Sequence, residues 1–124
     1  MSSRNTLLLC FVLVFTGCSP GCLSAHVHMV RAEGAYDKAH EMRKTGVPYE
    51  KRLALYRVAC NEAVKAYKAS PAVFTLSRIE ISADACFRVE DLDNREMFLE
   101  FEEKYTAEHP DEVRYGDAFP TLEA

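Results

Sequence analysis

Apolar residues recur at steps of three and four along most of the chain, which is the spacing that puts side chains on one face of an α-helix. The longest run consists of Tyr49, Leu53, Tyr56, Cys60, Ala63, Val64 and Tyr67. A second run consists of Ala72, Leu76, Ile79, Ala83, Cys86 and Phe87. A shorter and weaker run lies over residues 31–44, and another run follows Asn94, where Phe98, Phe101 and Tyr105 share a face. The pattern therefore predicts four helices.

Prolines and polar residues mark where these helices begin and end. Pro48 suits the first turn of the second helix, and Pro71 cannot continue that helix. Ser70 is placed to cap the third helix, with Pro71 at its first position. Asn94 follows an acidic break and is the predicted cap of the fourth helix, which ends by Pro110.

The predicted fold class is all-α, because no strand-like alternation of four or more residues occurs between residues 32 and 108. Short connections make consecutive helices antiparallel. We therefore expect one domain over residues 32–110, built from two stacked antiparallel helical hairpins, followed by a C-terminal tail over residues 111–124.

Small residues and a proline in the second helix carry a family resemblance. Ala59, Ala66 and Pro71 fall at the spacing that marks the second helix of a tetratricopeptide repeat, and the chain from Arg31 to Pro110 resembles that family. The resemblance implies helix-turn-helix units that present a helical surface to a protein partner.

The N-terminus has the layout of a secretory signal. Arg4 precedes nine consecutive apolar residues, Leu7 to Phe15. Such a run is too short to cross a bilayer, which takes about 20 residues, but it matches the apolar core of a signal peptide. We therefore assign residues 1–17 to a signal peptide.

The residues that follow the apolar core, Phe15-Thr16-Gly17-Cys18, resemble the lipobox of bacterial lipoproteins. The resemblance implies cleavage before Cys18, lipidation of its sulfur, and attachment to the membrane through the acylated residue. Ser19 stands where the family's inner-membrane retention signal has aspartate, which implies an outer-membrane location facing the periplasm. The alternative is an ordinary secreted protein, cut after Ala25.

Residues 18–31 show no sustained apolar period, so we expect a tether between lipid and domain. Cys22, His26 and His28 lie close together there. Zinc sites usually need four ligands at regular spacing, so we expect no metal site and interpret the histidines as incidental.

Charge is unevenly spread along a chain of net charge −4. Residues 31–68 contain nine basic and five acidic residues, whereas residues 80–124 contain four basic and fourteen acidic ones. No basic cluster suits a nucleic acid, so we expect no nucleic-acid partner. The acidic half is either a solvated surface or a surface that attracts a basic partner.

The cysteines leave one possible disulfide undecided. If Cys10 leaves with the signal and Cys18 is lipidated, then Cys22, Cys60 and Cys86 remain, and one thiol is unpaired. Cys60 and Cys86 lie on apolar faces on either side of Pro71, which suits a disulfide. A hairpin that turns near residue 70 leaves them about 9 Å out of register at 1.5 Å per residue, so two buried, inert thiols are the alternative.

The chain contains no nucleophile elbow, zinc-protease motif, phosphate-binding loop or Cys-x-x-Cys pair. We therefore expect that the protein is not an enzyme and binds no cofactor. His40 is expected at the surface and His109 in a turn. The combined expectation is a membrane-anchored interaction or scaffold module of the cell envelope, with membrane lipid and an envelope protein as partners. The alternative is a secreted, unlipidated helical protein that binds a ligand or metal.

Overall fold

A computed structural model describes residues 20–112. Four α-helices occupy most of this range: α1 (Pro20–Lys44), α2 (Tyr49–Ala69), α3 (Leu76–Arg88) and α4 (Leu92–Glu108). A short 3-10 turn, Pro71–Val73, connects α2 to α3, and no strand occurs among the described residues. The predicted signal peptide, Cys18 and nearly all of the predicted tail lie outside this range.

The helices pack as two hairpins. The most extensive contacts join α1 to α2 and α3 to α4, and α3 also contacts α2 and α1. The prediction of an all-α fold with two stacked antiparallel helical hairpins is therefore confirmed.

Helix α1 begins much earlier than the sequence pattern indicated. The predicted tether over residues 18–31 is wrong for residues 20–31, which form the first three turns of α1. Ala25, Met29 and Ala32 recur at steps of four and three and are almost completely buried. Two of these three residues are alanines, whose small apolar surface made the helical period easy to miss.

The connection between α2 and α3 is longer than predicted. Ser70 makes no side-chain cap, and Pro71 begins the 3-10 turn instead of α3. Thr75 caps α3, where its Oγ1 accepts a hydrogen bond of 3.3 Å from the Arg78 N–H. Ala72, expected on the buried face of the third helix, lies in the 3-10 turn and is exposed.

The longer connection brings Cys60 and Cys86 together. Because the middle of the connection falls near residues 72 and 73, Cys60 lies opposite residues 85 and 86 and not opposite residue 80. The two sulfurs are 2.06 Å apart and the two Cα atoms 4.9 Å apart, which is a disulfide between α2 and α3. Cys22 is also disulfide-bonded, so the expectation that one of Cys22, Cys60 and Cys86 is unpaired is wrong.

A tight turn joins α3 to α4. Glu90 adopts a left-handed φ of 60°, a conformation that ends a helix sharply. Asp91 then caps α4, because its Oδ1 accepts a hydrogen bond of 3.3 Å from the Asn94 N–H. The predicted cap at Asn94 is therefore three residues too late.

The core runs through all four helices. Its largest fully buried side chains include Met29, Tyr56, Ile79 and Phe98. Phe87, by contrast, was expected in the core but is 54% exposed, and the guanidinium carbon of Arg95 lies 4.8 Å from its ring centroid. Tyr49, at the start of the predicted stripe of α2, is also exposed, and its hydroxyl donates to the Arg88 carbonyl at 3.2 Å.

Candidate functional site

A groove of about 630 Å³ opens between the C-terminal end of α2, the 3-10 turn and α4. We name it the aromatic groove, since five of its lining residues carry aromatic rings: Tyr67, Phe74, Phe101, Tyr105 and His109. Met97 also lines it, and Glu100, Lys104 and Glu108 supply its charges. Helix α4 positions most of these side chains, because residues three and four apart fall on one face.

The rings of the groove support one another. The ring centroid of Tyr67 lies 5.1 Å from that of Phe101 and 5.8 Å from that of Phe98, both edge to face. Phe74 packs 5.6 Å from Phe101. These separations are in the range that aromatic pairs favour, and Phe98 beneath them is fully buried. These rings therefore form a packed apolar wall of the groove.

The end of the groove next to the C-terminus of α4 carries polar atoms. The His109 ring stacks on Tyr105 at 4.0 Å, and His109 Nδ1 lies 2.9 Å from the Tyr105 carbonyl oxygen. The Tyr105 hydroxyl donates to Glu112 at 2.8 Å, and burial together with this carboxylate raises the pKa of Tyr105. His109, predicted as a turn residue, thus also forms part of the groove.

The charges around the groove are mainly acidic. Glu100, Lys104 and Glu108 are exposed and succeed one another along α4 at steps of four. Two carboxylates and one ammonium group favour a ligand that places a positive group beside an apolar one. The groove can therefore offer apolar contact to one part of a ligand and favour a positive charge beside that part.

No known family matches the chain, and neither a curated protein nor a solved structure matches it significantly. In residues 20–112, no helix has the length and apolar character needed to cross a membrane. The same range holds no group of three or more histidine, cysteine or acidic side chains that could bind a metal ion. His26 is exposed, and His28 Nδ1 instead contacts Glu62 Oε2 at 2.5 Å.

A second group of interacting polar and aromatic side chains lies toward the other end of α2. We name it the polar cluster: Tyr36, His40, Tyr56, Asp84 and Arg88. The Tyr36 hydroxyl and Arg88 Nε both donate to Asp84 Oδ2, at 2.5 Å and 2.8 Å. The Tyr56 hydroxyl and His40 Nδ1 are 2.9 Å apart, and the Arg88 guanidinium carbon lies 4.9 Å from the Tyr56 ring centroid. The cluster thus joins α1, α2 and α3.

The environment of the polar cluster shifts its protonation equilibria. Burial, followed by the hydrogen bond to Asp84, raises the pKa of Tyr36 far above its ordinary value. Burial and the nearby positive charge of Arg88 lower the pKa of His40. His40, expected at the surface, is partly buried, and its ring centroid lies 4.4 Å from that of Tyr36 in a tilted arrangement.

The sequence analysis did not identify the groove. It placed Tyr67, Phe101 and Tyr105 on apolar helix faces, which predicts a closed core, whereas the structure leaves all three half-buried beside open space. The Cys60–Cys86 disulfide lies in the core and contributes nothing to the lining. Cys18 lies outside the described residues.

Proposed function

We propose that this protein is a lipid-anchored interaction module of a bacterial cell envelope, attached through acylated Cys18, and that its aromatic groove binds a peptide segment of an envelope protein. The observation that carries the proposal is the set of half-buried rings beside an open groove of about 630 Å³. Aromatic side chains dominate the binding energy of many protein interfaces, because they bury much apolar area at small cost in conformational entropy.

The groove chemistry specifies the partner segment. An apolar or aromatic side chain fits among Tyr67, Phe101 and Tyr105, whose rings already support each other. A basic residue next to it would meet Glu100 or Glu108. The expected ligand is therefore a peptide with a basic residue next to an apolar or aromatic one.

Crosslinking tests the groove. The photoreactive residue p-benzoylphenylalanine replaces Met97, which lines the groove, or Arg57, an exposed residue of α2 outside it. We expect one specific adduct in intact envelopes from position 97 and none from position 57. Phe101→Ala should remove the adduct, whereas Phe87→Ala, which truncates an exposed phenylalanine outside the groove, should retain it. Equal adducts from both positions would contradict groove binding.

Palmitate labelling tests the anchor. Cys18→Ser should abolish labelling and membrane association, and Cys22→Ser should retain both. Transfer of a diacylglyceryl group places the Cys18 sulfur in a thioether, so that this sulfur could not also form a disulfide. Peptide mapping of the mature protein without reductant gives a second readout, and a Cys18–Cys22 disulfide there would overturn the proposed anchor.

A second candidate function is favoured by the size of the groove. Small-molecule sites usually measure about 300–1,000 Å³ and are lined mainly by apolar and aromatic side chains. A secreted, unlipidated protein that binds a small aromatic cation would use the same rings and carboxylates. An unlabelled, soluble mature protein that gives no adduct from position 97 would favour this candidate.

A further inference from the structure

The early start of α1 fixes how near an anchored domain lies to the membrane. Helix α1 begins at Pro20, only two residues after Cys18. Two residues span at most about 7 Å even when fully extended. A lipid on Cys18 therefore holds the first turns of α1 close to the bilayer surface.

These first turns expose an apolar stripe. Leu23, Val27 and Val30 are 66%, 43% and 51% exposed, and their spacing of four and three residues aligns them on one face of α1. The face lies opposite Ala25 and Met29, which pack into the core. Because α1 rises 1.5 Å per residue, the stripe covers about 10 Å of the helix axis next to the anchor.

The same face of α1 becomes polar farther from the anchor. Lys38 and Glu41 continue the stripe at helical spacing, and both are exposed. Arg31, also exposed, flanks the apolar part and has a charge that complements lipid phosphates. Exposed apolar side chains are thus grouped on this face only where the chain comes close to Cys18, which is the arrangement of a helix that lies in a membrane interface.

We propose that the first three turns of α1 dock onto the bilayer surface, with Leu23, Val27 and Val30 among the acyl chains and Arg31 at the phosphates. The proposal rests on the lipid anchor proposed above. It also orients the module: the 3-10 turn that borders the aromatic groove contacts α1. Because α1 and α2 are antiparallel, the groove lies at the membrane-proximal end of their hairpin.

A single tryptophan tests the docking, because the chain has none of its own. The lipidated full chain carrying Val27→Trp is placed in phosphatidylethanolamine–phosphatidylglycerol vesicles, with or without bromine on the acyl chains. Glu41→Trp, on the same face but farther from the anchor, is the matched control, and Val30→Trp is a second reporter. We expect brominated lipid to lower the emission at positions 27 and 30 by about two-fold or more, and to leave position 41 nearly unchanged.

The outcomes separate docking from anchoring. Lipidated protein that floats with the vesicles but shows no quenching at positions 27 and 30 overturns the docking and leaves the anchor intact. Protein that carries no acyl chain and does not float overturns the anchor itself. A Cys18→Ser variant that sediments as a dimer, with position 27 shielded from water, would show that a second copy covers the stripe and would also overturn the docking.

Discussion

Helix α2 carries a tyrosine toward each end of the domain, and the two occupy different surroundings. Tyr56 is fully buried, its hydroxyl bonds to His40, and Arg88 lies beside its ring. Tyr67 is half-buried among phenylalanine rings and lines the aromatic groove. Within residues 20–112, its hydroxyl makes no hydrogen bond to another side chain or to the backbone.

The two tyrosines mark two different regions, one closed by bonds within the protein and one that leaves apolar area open. In the polar cluster, Tyr36 and Arg88 both donate to Asp84 Oδ2, so this carboxylate oxygen is already engaged within the protein. In the groove, ring faces remain uncovered and retain apolar area that a ligand could bury. The polar cluster therefore joins α1, α2 and α3, and the open aromatic end is the region where we propose that a ligand binds.

The largest expected effect on stability comes from truncating a fully buried side chain, either Tyr56 beside the polar cluster or Phe98 beneath the aromatic groove. Phe98→Ala and Tyr56→Ala should each lower the free energy of unfolding by about 3–5 kcal/mol, because each leaves a cavity in a fully buried site. Urea denaturation measures the loss. Phe87→Ala removes a ring that is 54% exposed and is the matched control, with an expected change of about 1 kcal/mol or less. Equal losses in all three variants would contradict the assignment of the core.

Sequence periodicity alone predicted the helices and their pairing, because apolar spacing and proline positions are local signals. It missed the first turns of α1, where Ala25 and Ala32 bury little area, and it put the cap of α4 at Asn94 although Asp91 also suits a cap. It placed the hairpin turn too early, so it found Cys60 and Cys86 out of register.

The groove and the polar cluster depend on contacts that are distant in sequence. Tyr67 meets Phe101 from another hairpin, and Tyr36 reaches Asp84 across 48 positions. Apolar spacing indicates which face of a helix is covered, but not whether a neighbouring helix covers all of it. The half-buried state of Tyr105 therefore could not be read from its position on a stripe.

Removing the hydroxyl group from each of these two tyrosines, Tyr56 and Tyr67, sharpens the comparison. Tyr56→Phe removes the hydroxyl that hydrogen-bonds to His40 Nδ1, so the free energy of unfolding should fall by about 1–2 kcal/mol. Tyr67→Phe keeps the ring and removes a hydroxyl without a hydrogen bond to the described residues, so the change should stay within about 0.5 kcal/mol. Urea denaturation of the two variants beside the wild type measures the difference, and a larger loss at position 67 would reverse the comparison.

Acid should weaken the polar cluster through His40. Its pKa lies below the ordinary 6.5, first because of burial and second because of Arg88, so the folded state favours the neutral ring. The stabilisation that the neutral His40 ring contributes is complete above about pH 6.5. It is lost as the pH falls from there through the lower pKa of the folded state. His40→Gln removes this titration, so its unfolding free energy should fall less than that of the wild type between about pH 7.5 and about pH 5. Parallel pH profiles of the two proteins would exclude His40 as the cause.

The smallest effects on stability are expected at the carboxylates of α4, where two neighbouring glutamates differ in position. Glu100 lines the groove, whereas Glu103 is exposed outside it. Glu100→Gln and Glu103→Gln should each change the free energy of unfolding by no more than about 0.5 kcal/mol, since neither removes core atoms. Binding should separate them: Glu100→Gln should reduce the adduct formed from position 97 and weaken its salt dependence, because a basic ligand loses its closest countercharge. Glu103→Gln should leave both nearly unchanged. If the two variants lost adduct equally at low salt, the acidic half would act through its overall charge, and the groove would have no selective part in attracting the partner.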